Sequence, residues 1–410
     1  MCRQIHRVQK VSQSITQQRT QWLEVIFLWV AGISAAMQFA KFSISYDAVL
    51  DHYQTGETLT GAALSVVGVV GLIFGVSAGM IASRVGYLRV LVGALVLGGA
   101  LSFIQSFLPH FNVFFVTRML EGFSQVGVVV SAPTLIAKLS APQHRSLTMG
   151  LWGTFFGVAF ALSGWLGPNI LEPFGLHGLL LSHSVLITSI GVMLFFLLRN
   201  NAVLEIVPVT SNQGSFFSQM VVIYRNPRAL LPSLVFLFYT CTLVSMLTYV
   251  PRLIKDAHIH GFMLVALPLI STGGAFLAGA LAQYVMRPQR VALVAYLGVA
   301  SSALILSTVI ELPLLFAVVV STMILFVGMV PGAALGMIPY LARNTSEQAQ
   351  GYGLIAQLGN LGATLGPPIF ATMIAAFGVP GLVTLVLCIC GFGVFFSLLA
   401  GRLPSSANLS

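Results

Sequence analysis

Residues 60–108 read TGAALSVVGVVGLIFGVSAGMIASRVGYLRVLVGALVLGGALSFIQSFL. Two apolar runs, each near the roughly 20 residues that span a bilayer as helix, flank a short segment whose only charges are Arg84 and Arg89. This is the pattern of two crossings joined by a basic cytoplasmic loop. The rest of the chain has the same character. Of 410 residues, 19 are Lys or Arg and 10 are Asp or Glu, so 7% are charged, against about 25% in soluble domains. The apolar set fills 57% before 40 glycines are added, and the mean hydropathy is +0.95. So many apolar side chains cannot all be interior in a water-soluble protein of this length. Disorder, a disulfide scaffold and a soluble nucleic-acid binder are excluded, and an all-α integral membrane protein is expected.

Spans are predicted at 22–42, 60–83, 88–108, 112–136, 147–170 and 177–198, and again at 229–250, 261–284, 291–310, 313–338, 352–375 and 379–401. Charge tests this count of twelve. With both termini cytoplasmic, 15 of the 19 basic residues fall inside and three (Lys41, Arg252, Lys255) outside, with Arg118 within a span. Such a bias follows the positive-inside rule. The expected organisation is a cytoplasmic segment 1–21, a six-helix bundle 22–198, a cytoplasmic linker 199–228, a second bundle 229–401 and a cytoplasmic tail 402–410. A monomer in the plasma (cell inner) membrane is expected, with no cleavable signal peptide. The net charge of +9 then reflects cytoplasmic loops, and no nucleic-acid partner is expected. Cys2, Cys241, Cys388 and Cys390 form neither a disulfide framework nor a metal pair.

The halves echo each other. Gly79-Met-Ile-Ala82 aligns with Gly279-Ala-Leu-Ala282, Pro133-Thr-Leu-Ile-Ala137 with Pro339-Tyr-Leu-Ala342, Gly167-Pro168 with Gly366-Pro367, and Phe174-Gly175 with Phe377-Gly378, all at offsets near two hundred. Parallel repeats of this kind build transporters with a substrate site between the halves.

Gly79-Met-Ile-Ala-Ser83-Arg84-Val-Gly86-Tyr-Leu-Arg89 resembles the signature loop between helices two and three of the major facilitator superfamily, and Arg118-Met-Leu-Glu121-Gly122 resembles its fourth-helix motif. Pro133-Thr-Leu-Ile and Met149-Gly-Leu-Trp152 are similar to bacterial permeases of the cyanate/nitroimidazole group. The superfamily resemblance implies two pseudo-symmetric six-helix bundles, a cavity lined by helices one, four, seven and ten, and contacts of helix two with eleven and five with eight. It also implies an inner gating loop of Gly79, Ser83, Arg84, Gly86 and Arg89. The family carries an aspartate where Ser83 stands, and Glu347 is the candidate substitute, placed to meet Arg84 or Arg89. Thr345 with Gln348 has the spacing of a capping box there.

Glycines at four-residue spacing give close helix contacts in a membrane. Gly71, Gly75 and Gly79 form one such strip, as do Gly153 and Gly157, Gly328, Gly332 and Gly336, and Gly362 and Gly366. Those on helices two, five and eleven suit surfaces that slide as the halves rock, or static packing within each half. Pro133, Pro168, Pro268, Pro331 and Pro367 are expected to kink their spans.

Polar residues in hydrocarbon are costly, so their alignment on a face is informative. Ser34, Gln38, Lys41 and Ser45 form one stripe, and Arg118, Glu121 and Gln125 another. Tyr239, Thr242, Ser245 and Tyr249 form a third, and Gln357, Asn360 and Thr364 a fourth. The substrate cavity is accordingly expected to use Ser34, Gln38, Lys41, Arg118, Gln125, Tyr239, Thr242, Tyr249, Gln357 and Asn360. Arg118 and Glu121, three apart, read either as a structural ion pair or as the site of proton coupling, with protons as coupling ion. His183 reads as a packing residue. Lys41 and Arg118 favour anionic or zwitterionic solutes. No HExxH, GxSxG, CxxC or phosphate-cradling motif is present, so neither enzyme activity, cofactor nor metal is expected. The function expected is secondary active transport of a small organic solute by alternating access, as a symporting permease, with drug or metabolite efflux as the alternative and a receptor or channel as the outside reading.

Overall fold

The computed structural model describes residues 19–141, 144–201, 224–254, 256–343 and 345–404. Helix is the one regular structure among the described residues. In order they form α1 (Trp22–Ile44), α2 (Tyr46–Tyr53), α3 (Glu57–Ser65), α4 (Val67–Val85), α5 (Tyr87–Ser106), α6 (Phe111–Leu139), α7 (Arg145–Gly153) and α8 (Phe155–Leu198). The second half has α9 (Pro227–Tyr249), α10 (Ala257–Tyr284), α11 (Pro288–Leu306), α12 (Pro313–Leu341) and α13 (Thr345–Gly401). Helix is what hydrocarbon demands, because each backbone N–H and C=O must then be satisfied within its own segment. Among the described residues, nine helices are long and apolar enough to cross a membrane, or up to ten if α3 and α4, bent by 43°, count as one.

Two of these are far longer than one crossing needs. α8 has 44 residues and α13 has 57, and each contains one non-helical residue, Gly175 and Gly378, both at φ 61°. These are the paired glycines of the Phe-Gly repeat, so the repeat in sequence is a repeat in backbone. With ψ at −168° and −143° they lie in or beside a region essentially reserved for glycine. A Cβ at Gly175 would meet nothing within 4 Å. Gly175→Ala should therefore cost about 1–3 kcal/mol through the backbone alone, seen as a lower unfolding temperature. Unchanged thermal stability would contradict that strain argument. The five prolines expected to kink spans all lie inside continuous helices. The breaks in regular helix fall at Gly175 and Gly378 and between α3 and α4. Further differences from the expected spans are the short helix α2 and the position of Arg228. That residue, assigned to the linker, opens α9 behind an Asn226 cap.

Which helix packs on which is also repeated. In the first half α1 packs on α8 and α6, α4 on α6, and α5 on α6 and α8. In the second, α9 packs on α13 and α12, α10 on α12, and α11 on α12 and α13. The halves meet where α13 packs on α3 and α4, and where α8 packs on α10. The glycines at these crossings differ in part from the strips read in the sequence. Gly68 and Gly71 face Asn360, and Gly157 faces Thr272, across the halves. Gly75 and Gly153 have open space. Gly362 and Gly366 press on the α9 backbone at Leu237 and Cys241, and Gly328 and Gly332 on α10, all within the second half. Close approach there holds helices of one half together. Gly79 continues the α4 helix.

Candidate functional site: a buried ion cluster and a latch between the halves

α1, α5, α6 and the second leg of α8 enclose a polar cluster in the first half. Lys41 Nζ donates to Glu121 Oε1 (2.7 Å) and Ser102 Oγ (2.6 Å), and lies 3.2 Å from His183 Nδ1 and 3.4 Å from Gln105 Oε1. Arg118 pairs with the other Glu121 oxygen. Its remaining nitrogens donate to the carbonyls of Ala63 and Leu64, each at 3.2 Å, where the bend between α3 and α4 leaves backbone acceptors free. The guanidinium also lies 4.9 Å from the Phe42 ring centroid. Gln38 Nε2 donates to Ser124 Oγ (2.8 Å). Arg118, Glu121, Gln38, Gln105 and Ser102 are all 0% exposed and Lys41 is 2% exposed. Helical spacing explains the convergence: Gln38 and Lys41 share one face of α1, and Arg118, Glu121 and Gln125 share one of α6.

The two cations therefore do not front an open space, as the stripe on α1 suggested; they are packed inside the first half. Ser34 turns its hydroxyl to its own helix, at Ala31 O, and so does Thr242, at Phe238 O. Such back-bonding is ordinary for hydroxyls in apolar helices. Gln125 is half-buried with Oε1 unpartnered, and Tyr239 and Asn360 are half-buried on α9 and α13. Gln357 joins the halves, donating to Leu72 O (2.9 Å) and accepting from Tyr224 (2.9 Å).

Tyr249 belongs to a separate construction at the end of the bundle remote from the chain termini. Arg252, in a 3-10 turn after α9, pairs with Asp47 and, at 3.5 Å, with Glu57 of the first half. It also covers the Tyr46 ring at 4.6 Å. Tyr46 meets Tyr249 edge-on at 5.2 Å, and Tyr249 donates to Pro367 O (3.0 Å). Ser43 with Thr248 (2.7 Å) and Thr58 with Thr372 (2.9 Å) add hydroxyl contacts across the halves. A small cavity of about 380 Å³ lies there, lined by Asp47, Glu57, Arg252 and His260 among others. One apolar cluster runs through this end, from Phe39, Phe42 and Phe160 to Val244, Phe370 and Ala371. At the opposite end the packing is divided. Val25, Leu28 and Leu135 cluster within the first half, and Ala229, Leu354 and Leu358 within the second.

At the expected gating loop, Gly86 holds φ 106° between α4 and α5, which calls for glycine, and Arg89 is exposed. Ser83, Arg84 and Thr345 side chains lie outside the described residues. Glu347 accepts from the Arg343 N–H at 2.8 Å, capping the start of α13. Sequence reasoning missed Ser102 and Gln105, although with Ser106 they share one face of α5 by the same spacing, and it missed the place of His183. It also missed the latch, whose charges lie far apart in the chain. Their only signal was that Asp47, Glu57 and Arg252 share one side of the membrane. Among the described residues, no group of three His, Cys, Asp or Glu side chains is placed to hold a metal.

The family model of the Major Facilitator Superfamily matches residues 28–367. The chain belongs to that superfamily. It is 24% identical to the 4-hydroxybenzoate transporter PcaK of Pseudomonas putida, covering 89% of each chain. It is also 27% identical to the inner membrane transport protein YajR of Escherichia coli (strain K12), over 49% of this chain and 43% of YajR. The chain thus spans under half of that relative. Among solved structures, a bacterial homolog of the human lysosomal transporter Spinster, in an inward-facing and unoccupied conformation, superposes with TM-score 0.72 at 13% identity. That superposition covers 93% of this chain and 96% of the other. The superfamily makes this a multi-pass membrane transporter of small molecules.

Proposed function

We propose that the chain is a secondary active transporter that carries a small organic solute by alternating access, driven by protons. The observation that carries this reading is the contrast between the two ends: joined by the Arg252 latch and a continuous apolar core at one, divided at the other. Counting α8 and α13 as two crossings each, broken at Gly175 and Gly378, and α3 with α4 as one, gives twelve crossings in two bundles of six. Basic residues gather at the end bearing the termini, so we assign that end to the cytoplasm of an inner-membrane protein acting as a monomer. Asn360, Gln125 and Tyr239 are the proposed solute contacts, and the buried Lys41–Arg118–Glu121 cluster the coupling site. Since both cations face inward, an anionic solute is favoured chiefly by the PcaK relatives, and 4-hydroxybenzoate is the first probe.

Proteoliposomes supply the test. Saturable accumulation of 4-hydroxybenzoate or a related organic anion under an inward proton gradient, with counterflow, is expected. Non-saturating flux without counterflow would point to a channel, and accumulation only under a reversed gradient to efflux. The interface makes its own prediction. A methyl at Gly68 would meet the Thr364 hydroxyl and, at 3.0 Å, the Asn360 carbonyl, so Gly68→Leu should wedge α4 from α13 and lower transport at least about tenfold. Wild-type rates in that variant would show that this crossing is not used.

A further inference from the structure

The buried cluster holds two cations, Lys41 and Arg118, and one carboxylate, Glu121. The described titratable groups facing Lys41 are Glu121 and Arg118 from α6 and His183 from α8, while α5 supplies only Ser102 and Gln105. Arg118 is fully engaged and keeps its protons in any protein setting. It balances Glu121, and the ammonium of Lys41 is then one charge in excess. Beside that ammonium sits a base. His183 Nε2 lies 3.0 Å from the Ser34 carbonyl, which can only accept, so the ring proton is on Nε2 and Nδ1 carries the lone pair. Nδ1 points at Lys41 Nζ (3.2 Å) and at Ser102 Oγ (2.8 Å); that hydroxyl lies 2.6 Å from Nζ and has two acceptors for its one proton, Nδ1 and Glu121 Oε1 (3.0 Å). A proton donor, a hydroxyl relay and a base are thus in contact.

We propose that the coupling proton is carried by Lys41, with His183 as its acceptor, and that Glu121 is a fixed counter-ion rather than the proton carrier. The assignment rests on the proton coupling proposed above. In the transfer step one N–H bond of the Lys41 ammonium breaks and one forms at His183 Nδ1, directly or by exchange through the Ser102 hydroxyl. The amine becomes neutral, the ring becomes imidazolium, and the cluster keeps its excess charge. Loss of a proton from the imidazolium to water brings the cluster to neutrality. The loaded and unloaded forms differ by one buried charge, which biases the packing of α1 against α5, α6 and α8.

The test reads conformation, so it needs no known solute. Full-length protein in nanodiscs, with its cysteines replaced by alanine, carries spin labels at exposed Asp51 and Glu311, which lie on the two halves at the latch end. Distances are measured by electron–electron resonance from about pH 5 to about pH 9, the range that spans histidine titration. Wild type is expected to shift between a short and a long population. Lys41→Gln, permanently neutral, and Lys41→Arg, permanently charged, should each ignore pH and rest at opposite populations. His183→Gln should displace the midpoint by about 0.5 unit or more, and it keeps the proposal testable where a Lys41 variant fails to fold. The latch groups Asp47, Glu57 and His260 are intact in every variant. A wild-type pH response surviving in folded Lys41 variants, or an unmoved His183→Gln midpoint, overturns the assignment. A wild type indifferent to pH overturns proton coupling itself.

Discussion

Glu121→Gln should cripple the protein more than any other conservative change in it. The substitution keeps the shape and removes the charge, leaving Lys41 and Arg118 as buried cations with no anion, at 3% and 0% side-chain exposure. Breaking a buried pair from one side costs about 3–5 kcal/mol, since the stranded charge cannot be rehydrated. Here two charges are stranded, and Arg118 cannot discard its proton. We expect a fall in unfolding temperature of the purified protein and loss of both gradient-driven accumulation and counterflow, by about a hundredfold or more at 1.4 kcal/mol per tenfold. Were Glu121 the proton carrier and nothing more, counterflow would survive. The geometry predicts that it does not, because Glu121 also holds α1 to α6. Asp47→Asn is the control: that carboxylate is 61% exposed, and an exposed pair is worth about 1 kcal/mol or less. Near-normal stability and exchange in Glu121→Gln would refute the cluster's structural role.

The second large effect is expected at the latch. Thr58 and Thr372 approach within 2.9 Å from opposite halves, a spacing at which cysteines could form a disulfide with little backbone movement. In the double variant Thr58→Cys/Thr372→Cys, oxidation should fix the latch end shut and reduce transport to a few per cent of the reduced protein, about a thirtyfold loss. Reductant should restore it. Ser43→Cys/Thr248→Cys, which joins the same ends deeper in the bundle at 2.7 Å, should behave alike. Full transport by the cross-linked form would mean that this end never opens. Neither single cysteine variant should respond to oxidant.

The all-helical, many-span character was legible because bilayer thickness imposes a length on each apolar run. The Phe174-Gly175 and Phe377-Gly378 pairing was readable too, and its reason is now visible: both glycines sit at φ 61°. A proline's missing donor need not end a helix, and Pro133 and Pro268 sit inside continuous ones. For the site, helical spacing identified Lys41, Arg118 and Glu121 but not the direction of their faces. A stripe looks the same whether it lines a cavity or fills a bundle, and only the positions of Ser102 and His183 decide between the two. Residues distant in sequence, such as Asp47 and Arg252, leave no local pattern at all.

The measurement closest to the central claim uses sided chemical access. Asn360 is half-buried on α13 where it meets Gly71 of the other half. Asn360→Cys, in a chain otherwise free of reactive thiols apart from the Thr58–Thr372 lock, is treated with a membrane-impermeant maleimide on one face at a time. Without the lock, labelling is expected from both faces; with it closed, from the cytoplasmic face alone. Labelling from the outer face through a closed lock, or from that face never, would contradict alternating access in this molecule.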